Sequence, residues 1–395
     1  MGDWPATADV VVVGGGIVGA ATAFYAARAG LSVVLVERRT ALGALTTAAS
    51  AASFRAQFTD AANIALMRES IAVFERFGEV IGDPACDIRL RQGGYLFVSD
   101  RAEDVAALRA RVERQRALGL PDVEFLSGEE ARGRFPHLSP AVLAGAYRAR
   151  DGWLDARAVT DGFARASGAR LLLGVEVLRI DTARGRVRGV VTDGGTIAAG
   201  AAVVAAGPFS GRVAATAGVE LPVTPLRRHK LEIAPRPEIP LAGPMTIDAV
   251  TGAHWRPDGA GGALAAWSQP EEPAPPLDPV PPDPAFPALV LAGIARLSPF
   301  WAKLAPRLRP ADLKLAAGQY TVTPDHNPLI GPMAAIEGLF VNTGYSGHGV
   351  MASPGGARLL ADLLTGRCDD RDNPYSPQRF AAGFPQKTEG ERMVL

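Results

Sequence analysis

The residues from Asp9 to Arg39, DVVVVGGGIVGAATAFYAARAGLSVVLVERR, constrain this chain more than any other stretch. Val10 to Val13 is a β-branched run suited to a buried strand and too short for a helix of its own. Gly14, Gly16 and Gly19 follow as G-x-G-x-x-G, with Gly15 between the first two. Ile17 to Arg28 is rich in alanine and reads as a helix stopping at Gly30. Leu31 to Val36 is a second apolar run, closed by Glu37. The order is strand, turn, helix, strand.

Each residue type there has a physical job. Gly14 permits the tight turn, Gly16 lets a pyrophosphate approach the main chain, and Gly19 lets the helix lie close on the strand. The helix start, with Ile17 and Val18 in its first turn, offers free N–H groups and partial positive charge to a diphosphate. Glu37 lies eighteen residues after Gly19, where a carboxylate accepts hydrogen bonds from ribose hydroxyls, and Arg38 stands beside it. A bare fingerprint carries little weight in a chain with 44 glycines. With both strands, the helix and the acid in place, the unit reads as a dinucleotide site.

The length of 395 residues allows two domains or one large interrupted one, and a hydrophobic fraction of 48% is ample for a core. Formal net charge is zero, so no broad pull toward nucleic acid or anionic membrane is expected. Cys86 and Cys368 make neither a disulfide framework nor a metal cluster. Val10 to Ala27 is uncharged and about as long as a minimal bilayer-spanning helix, but three glycines break it early. Met1 to Asp9 holds acid and no Lys or Arg, so no basic leader is read there. The expectation is a cytoplasmic protein without a membrane span.

Further along, Thr46 to Ser53 (TTAASAAS) is a small-residue loop. Its hydroxyls, Thr47 and Ser50 among them, suit phosphate or ring contacts, or a plain surface linker. A helix is expected from about Asp60 to Phe77, a strand–turn–strand over Asp87 to Ser99, and a charged helix over Ala102 to Leu118. Ser127 is placed to cap a short helix. Another helix runs to Ala166, and Leu171 to Ile180 reads as one strand. A hairpin turns on Asp193-Gly194-Gly195, and AAVVAAG, ending at Gly207, reads as a second buried strand. Val223 to Trp267 is strand-rich. Pro270 to Pro287 is a proline-dense surface excursion, and Pro299 to Leu308 a short helix. GYSGHG, Gly344 to Gly349, feeds a helix over Val350 to Leu364, and the chain from Cys368 reads as a loose tail. A second glycine-rich loop opening a helix suits a ligand with two ends, as FAD has.

These motifs carry a resemblance. GGGIVG…VERR, the internal VVAAGPFS and the block AAGQYTVTPDHNPLIGP…NTGYSGHGVMASPGGARLLADLLTG resemble the FAD-dependent amino acid oxidase superfamily, across nearly the whole chain. The sequence is most similar to the branch of sarcosine oxidase β-subunits, glycine oxidases and amine dehydrogenases. The resemblance implies an α/β fold, α+β overall, with a discontinuous Rossmann-like FAD-binding domain and a substrate domain on a mixed sheet. The expected FAD segments are 1–80, 145–220 and 315–370, the substrate segments 81–144 and 221–314, and the tail 371–395. By position, Gly14, Gly15, Gly16, Ile17, Val18, Gly19, Glu37 and Arg38 hold the ADP half. Thr47, Ser50 and Gly207 lie near the diphosphate and flavin, and Val177 meets adenine. Gly347, Gly349, Val350 and Met351 line the flavin's pyrimidine edge. There the helix N-terminus stabilises charge arriving with a hydride at N5.

The resemblance also assigns substrate roles. Arg55 falls where related enzymes bind a substrate carboxylate, a partner its guanidinium fork suits. The family's second carboxylate-binding group, a lysine, is replaced by Met351. The lysine used for oxygen activation aligns with Ala265, with Arg256 or His229 as candidate substitutes. Positions of covalent flavin attachment align near Gly318 and Ala156, so one non-covalent FAD is expected. His348, beside the flavin, either orients substrate or satisfies loop carbonyls. His229 and His254 read as structural, and Tyr95 and Trp255 as pocket walls or core aromatics. The implied reaction is oxidation of a secondary or primary amine, an N-substituted or cyclic amino acid, with oxygen, a quinone or a carrier protein as acceptor. The alternatives are a 2-hydroxy acid or polyol dehydrogenase and a non-catalytic flavin-bearing assembly protein.

Overall fold

The computed structural model describes residues 4–381; residues 1–3 and the end of the expected tail, 382–395, lie outside the described residues. Two eight-stranded sheets organise the chain. The first is built around Thr7–Val13, which pairs in parallel with Val33–Glu37 on one side and Thr196–Val204 on the other. Arg170–Leu173 extends it beyond Val33–Glu37, and Leu339–Thr343 extends it beyond Thr196–Val204, both in parallel. A parallel sheet needs cover on both faces. The central valines supply it by alternation: Val10 and Val12 enter one apolar cluster, Val11 and Val13 the other.

The helix Ile17–Arg28 lies on the first of those faces and packs against Gly349–Leu364 from the far end of the chain. Close approach explains two glycines. A Cβ on Gly19 would stand 1.8 Å from the Gly14 carbonyl oxygen. Gly14 itself has φ +114°, in the region that favours glycine, and a Cβ there would stand 2.5 Å from the Ala205 oxygen.

The second sheet runs in the order Leu313–Val322, Thr224–Ile233, Ala263–Pro273, His254–Pro257, Met245–Asp248, Tyr95–Ser99, Ala144–Arg148, Glu124–Ser127. It is antiparallel except where Met245–Asp248 meets Tyr95–Ser99. Its outer face is backed by the helix Phe286–Ala295, with Leu231, Trp255, Ala265 and Trp301 in the shared core. Ala144–Arg148 and Leu313–Val322 pair here and not in the first sheet.

Local signals hold where they are chemical. Asp60 accepts the Asn63 N–H to cap Ala61–Glu75, and Ser127 and Glu130 form a capping box. Other expectations need correction. Only Tyr95–Ser99 is a strand in the expected strand–turn–strand, because 87–94 makes little more than an isolated bridge at Arg91. The expected single strand from Leu171 to Ile180 is two, Arg170–Leu173 and Val177–Ala183, broken at Gly174 with φ +71°. The excursion from Pro270 begins as part of Ala263–Pro273 and ends in a helix from Phe286. The tail is not loose as far as 381. Asn373 donates to the Ile330 carbonyl, the Tyr375 hydroxyl to Asn63, and Arg379 pairs with Asp325.

Candidate functional site

A cleft of about 330 Å³ opens between the two sheets. Gly14, Gly16, Ile17 and Val18 line its floor, with Glu37, Arg38 and Val177 toward one end and Gly347, Gly349 and Val350 also on its wall. Thr47, Ser50 and Gly207 line it too. The chain's two glycine-rich loops, more than three hundred residues apart in sequence, thus meet in one cavity.

Neither helix that starts there is capped by the residue before it. Gly16 precedes Ile17–Arg28 and His348 precedes Gly349–Leu364, and neither side chain accepts from the first turn. Uncapped helix starts opening on a cavity leave N–H donors for an anionic or electron-rich ligand. Gly16 keeps the floor open, since a Cβ there would meet nothing closer than Thr47 Oγ1 at 3.5 Å. The Glu37 carboxylate is oriented by the Gly15 N–H at 2.7 Å and the Arg39 N–H at 2.8 Å. Carboxylate oxygens accept more than one bond each, so Glu37 retains capacity for hydroxyl donors. The Thr47 hydroxyl accepts the Ile17 N–H at 3.1 Å. These features fit a dinucleotide laid along the cleft.

Of the residues expected at the site, Gly15, Gly19, Arg55, Tyr95, Trp255, His348 and Met351 do not line the cavity. Gly15 contributes its N–H to Glu37, and Gly19 contributes the absence of a side chain. Met351, expected at the ring edge, has its side chain in the apolar cluster and is 7% exposed, which leaves only its main chain for such a contact. Arg38 stacks on Phe209, its guanidinium carbon 3.9 Å from the ring centre, and pairs with Asp278.

Arg55 is buried in the wall behind the loop. Its Nη1 donates to the Gln57 carbonyl at 2.6 Å and its guanidinium lies 4.0 Å over the Phe58 ring. Phe58 meets His348 edge-on at 5.2 Å, so Arg55, Phe58 and His348 form one contiguous group at the start of Gly349–Leu364. Burial, helped by the nearby Arg55 and His326, holds the His348 imidazole down at about 3. His348 is therefore neutral across the physiological range. Asp151, fully buried, orients the segment: it accepts from the Ala56 N–H, Gln57 Nε2 and Arg148.

Strand parity separates the aromatic candidates. Tyr95 and Arg256 share the inner face of the second sheet, where the Tyr95 hydroxyl bonds Ser53 and burial pushes its pKa up. Trp255 is a correction. It alternates to the outer face, packs on Trp301 and Phe300, and donates to Ser298 at 2.9 Å. Ala265 shares that outer face, paired with Trp255, so a lysine in its place would point into the core. His229 stacks on Phe286 and accepts the Asp283 N–H, a structural use. His254 is buried with Nδ1 against the Gly252 carbonyl. Gly318 is glycine for packing: a Cβ there would stand 2.7 Å from that of Ala49.

Sequence reasoning missed several residues on this wall. Tyr320, Phe209, Arg212 and Asn342 line the cleft. Tyr320 lies directly against Gly347, where a Cβ would come within 2.6 Å of its ring. The alternation of Gly318 and Tyr320 in GQYTVTP was the available signal.

Residues 9–363 match the model of the FAD dependent oxidoreductase family. The glycine oxidase of Geobacillus kaustophilus (strain HTA426) is 29% identical over 364 residues, covering 90% of this chain and 92% of that protein. FAD-dependent oxidoreductase domain-containing protein 1 of Xenopus laevis is 28% identical over 410 residues, covering 91% and 79%. Among solved structures, L-proline dehydrogenase from P. horikoshii superposes with a TM-score of 0.85 at 28% identity, over 96% of this chain and 99% of that one.

Proposed function

Because this chain belongs to the FAD-dependent oxidoreductase family, we propose that it oxidises the C–N bond of a secondary or primary amine, an N-substituted or cyclic amino acid. The observation that carries this reading is the group formed by Arg55, Phe58 and the neutral His348 at the uncapped start of Gly349–Leu364. A buried guanidinium there suits a carboxylate, and an uncharged imidazole beside it leaves an amine substrate free of a second positive charge. The relatives named for glycine and L-proline support an amino acid as substrate.

In this proposal the FAD-binding unit is drawn from 1–80, 145–220 and 315–370, apart from the strands Ala144–Arg148 and Leu313–Val322 that pair in the second sheet, and the substrate unit from 81–144 and 221–314 with those two strands. Glu37 would hold the adenosine ribose, the starts of Ile17–Arg28 and Gly349–Leu364 the diphosphate and the pyrimidine edge, and Thr47 and Ser50 the middle. Bound FAD, one per chain and non-covalent, supplies a two-electron acceptor. Arg55 orients the substrate carboxylate, Tyr95 walls the chamber from the second sheet, and the Gly349–Leu364 helix start offers positive potential to developing negative charge. No strong base is needed, since a neutral amine gives up hydride directly. Oxygen, a quinone or a carrier protein completes the cycle, in a cytoplasmic setting in keeping with two free cysteines, Cys86 and Cys368. Among the described residues, no helix is long and apolar enough to cross a membrane.

The test is anaerobic mixing of the FAD-loaded enzyme with sarcosine, other N-methyl amino acids, proline, D-amino acids, and 2-hydroxy acids. Loss of visible flavin absorbance with one of the amines is expected. Bleaching by hydroxy acids alone would overturn the reading.

A further inference from the structure

We propose that Lys230 is a positioning residue for the cofactor cleft, fixing the turn at residues 46–51 from the second sheet. The inference rests on the cleft being the FAD site and is independent of the substrate.

Lys230 stands on the inner face of Thr224–Ile233, opposite in parity to Leu231, which enters the outer core. Its Nζ donates to the Ala48 carbonyl at 3.0 Å and the Ser50 carbonyl at 3.1 Å, and pairs with Glu232 at 3.0 Å. An ammonium has three donors, and here each meets one acceptor. Lys230 is therefore committed to the turn and is not a spare cation.

The turn it holds carries Thr46, Thr47 and Ser50, all on the cleft wall. Thr47 in turn accepts the Ile17 N–H at the start of the glycine helix. Other contacts come from the same sheet. Arg256 donates to the Ala51 carbonyl at 3.1 Å, and the Gln319 carbonyl accepts from Thr46 at 3.2 Å. Of these side chains only Lys230 takes two of the turn's carbonyls at once. Hydrogen bonds to a charged group are stronger than neutral ones, and their loss frees the carbonyls of two peptide units at the end of the one-turn helix Thr46–Ala49. The turn's hydroxyls would then lose their fixed position in the cleft, although Lys230 itself is absent from its lining.

The experiment compares Lys230→Met, Lys230→Arg and Lys314→Met in the full chain, stripped of flavin and titrated with FAD, with visible circular dichroism of the bound flavin as a second readout. Lys314 is exposed and its ammonium pairs with the other Glu232 oxygen at 2.9 Å and, among the described residues, with no group of the turn, so its loss spares the turn. The Met variant at 230 is expected to raise the FAD dissociation constant by about tenfold or more and alter the flavin dichroism. The Arg variant should recover part of both, and Lys314→Met should match the unmodified protein. Wild-type affinity and dichroism in Lys230→Met, or an equal loss in Lys314→Met, would overturn the proposal. Should the Met variant not fold, Lys230→Gln, whose shorter neutral amide lacks the charge and the reach to serve both carbonyls and Glu232, is expected to weaken FAD binding in the same direction, and wild-type affinity in it would overturn the proposal. Failure of the unmodified chain itself to bind FAD would instead count against the site assignment.

Discussion

Arg39 holds the Asp278 carboxylate at one end of the cleft, its Nε 3.0 Å from Oδ2, and Arg38 pairs with the same carboxylate. Asp278 sits in the proline-dense excursion, which is also fastened at Gln319. The Gln319 side chain accepts the Leu277 N–H and donates to the Pro275 carbonyl, both at 2.8 Å. The excursion is thus a strap tied to the residues that follow Glu37. Asp278→Asn is expected to speed FAD release several-fold, more at low salt than at high, because partly exposed pairs are screened by ions. Stopped-flow displacement of FAD at two ionic strengths measures it, and a salt-independent rate would count against the strap.

Gly16 and Gly19 serve different ends, and alanine separates them. Gly16 has φ −72° and ψ 177°, which any residue adopts, and space for a methyl group. Gly16→Ala should fold with an unchanged melting temperature in the flavin-free state and bind FAD at least about tenfold more weakly, by blocking pyrophosphate approach. Gly19→Ala would force a methyl to within 1.8 Å of a carbonyl oxygen. It should lower stability itself, seen as a lower melting temperature before any flavin is added.

Arg55 should act on substrate more than on cofactor. Arg55→Met removes a charge-assisted contact worth roughly 1.5–3 kcal/mol, so anaerobic reduction at low substrate should slow about 10- to 100-fold with FAD affinity little changed. Arg55→Lys should not restore the rate, because an ammonium lacks the planar fork. Steady reduction of the Met variant at the wild-type rate would remove Arg55 from the substrate site.

The histidines give a pH dependence with a definite sign. His348 is held down at about 3 and His137 at about 4, both by burial, against an ordinary value of 6.5. The unfolded chain therefore binds more protons than the folded one below 6.5. Stability from these groups is fully present above that value and is lost as pH falls toward 4 and then 3. Urea midpoints should fall through that window, and His137→Gln should flatten part of the slope. The rate of flavin reduction should show no ionisation from His348 near neutrality.

The strand–glycine–helix–strand half of the cleft was legible because its signals are local. Strand, glycines, helix and Glu37 lie within one short stretch, and caps such as Asp60 and Ser127 act within three residues. The rest depends on partners remote in sequence. Nothing near Lys230 announces that it meets Ala48 and Ser50, and nothing near Asp278 announces Arg38 and Arg39. Trp255 and Arg256 illustrate a second limit. Both faces of the strand are buried, so residue type alone does not say which one turns to the inner face of the second sheet, and pairing with Ala265 decides it. The run from Leu171 to Ile180 hides a break because its flanks are equally strand-like. The tail looked loose because few apolar residues mark it, whereas Asn373 and Arg379 anchor it through polar contacts.

In the proposed function one elongated cofactor is held at both ends, by Glu37 and the first glycine loop and by the start of Gly349–Leu364. Equilibrium titration of the flavin-free protein with FAD and, separately, with FMN tests this most directly. A yellow complex at one FAD per chain is expected, its flavin released intact by acid precipitation, with FMN bound orders of magnitude more weakly for want of the adenosine end. Equal affinity for the two flavins, or no uptake of either, would contradict it.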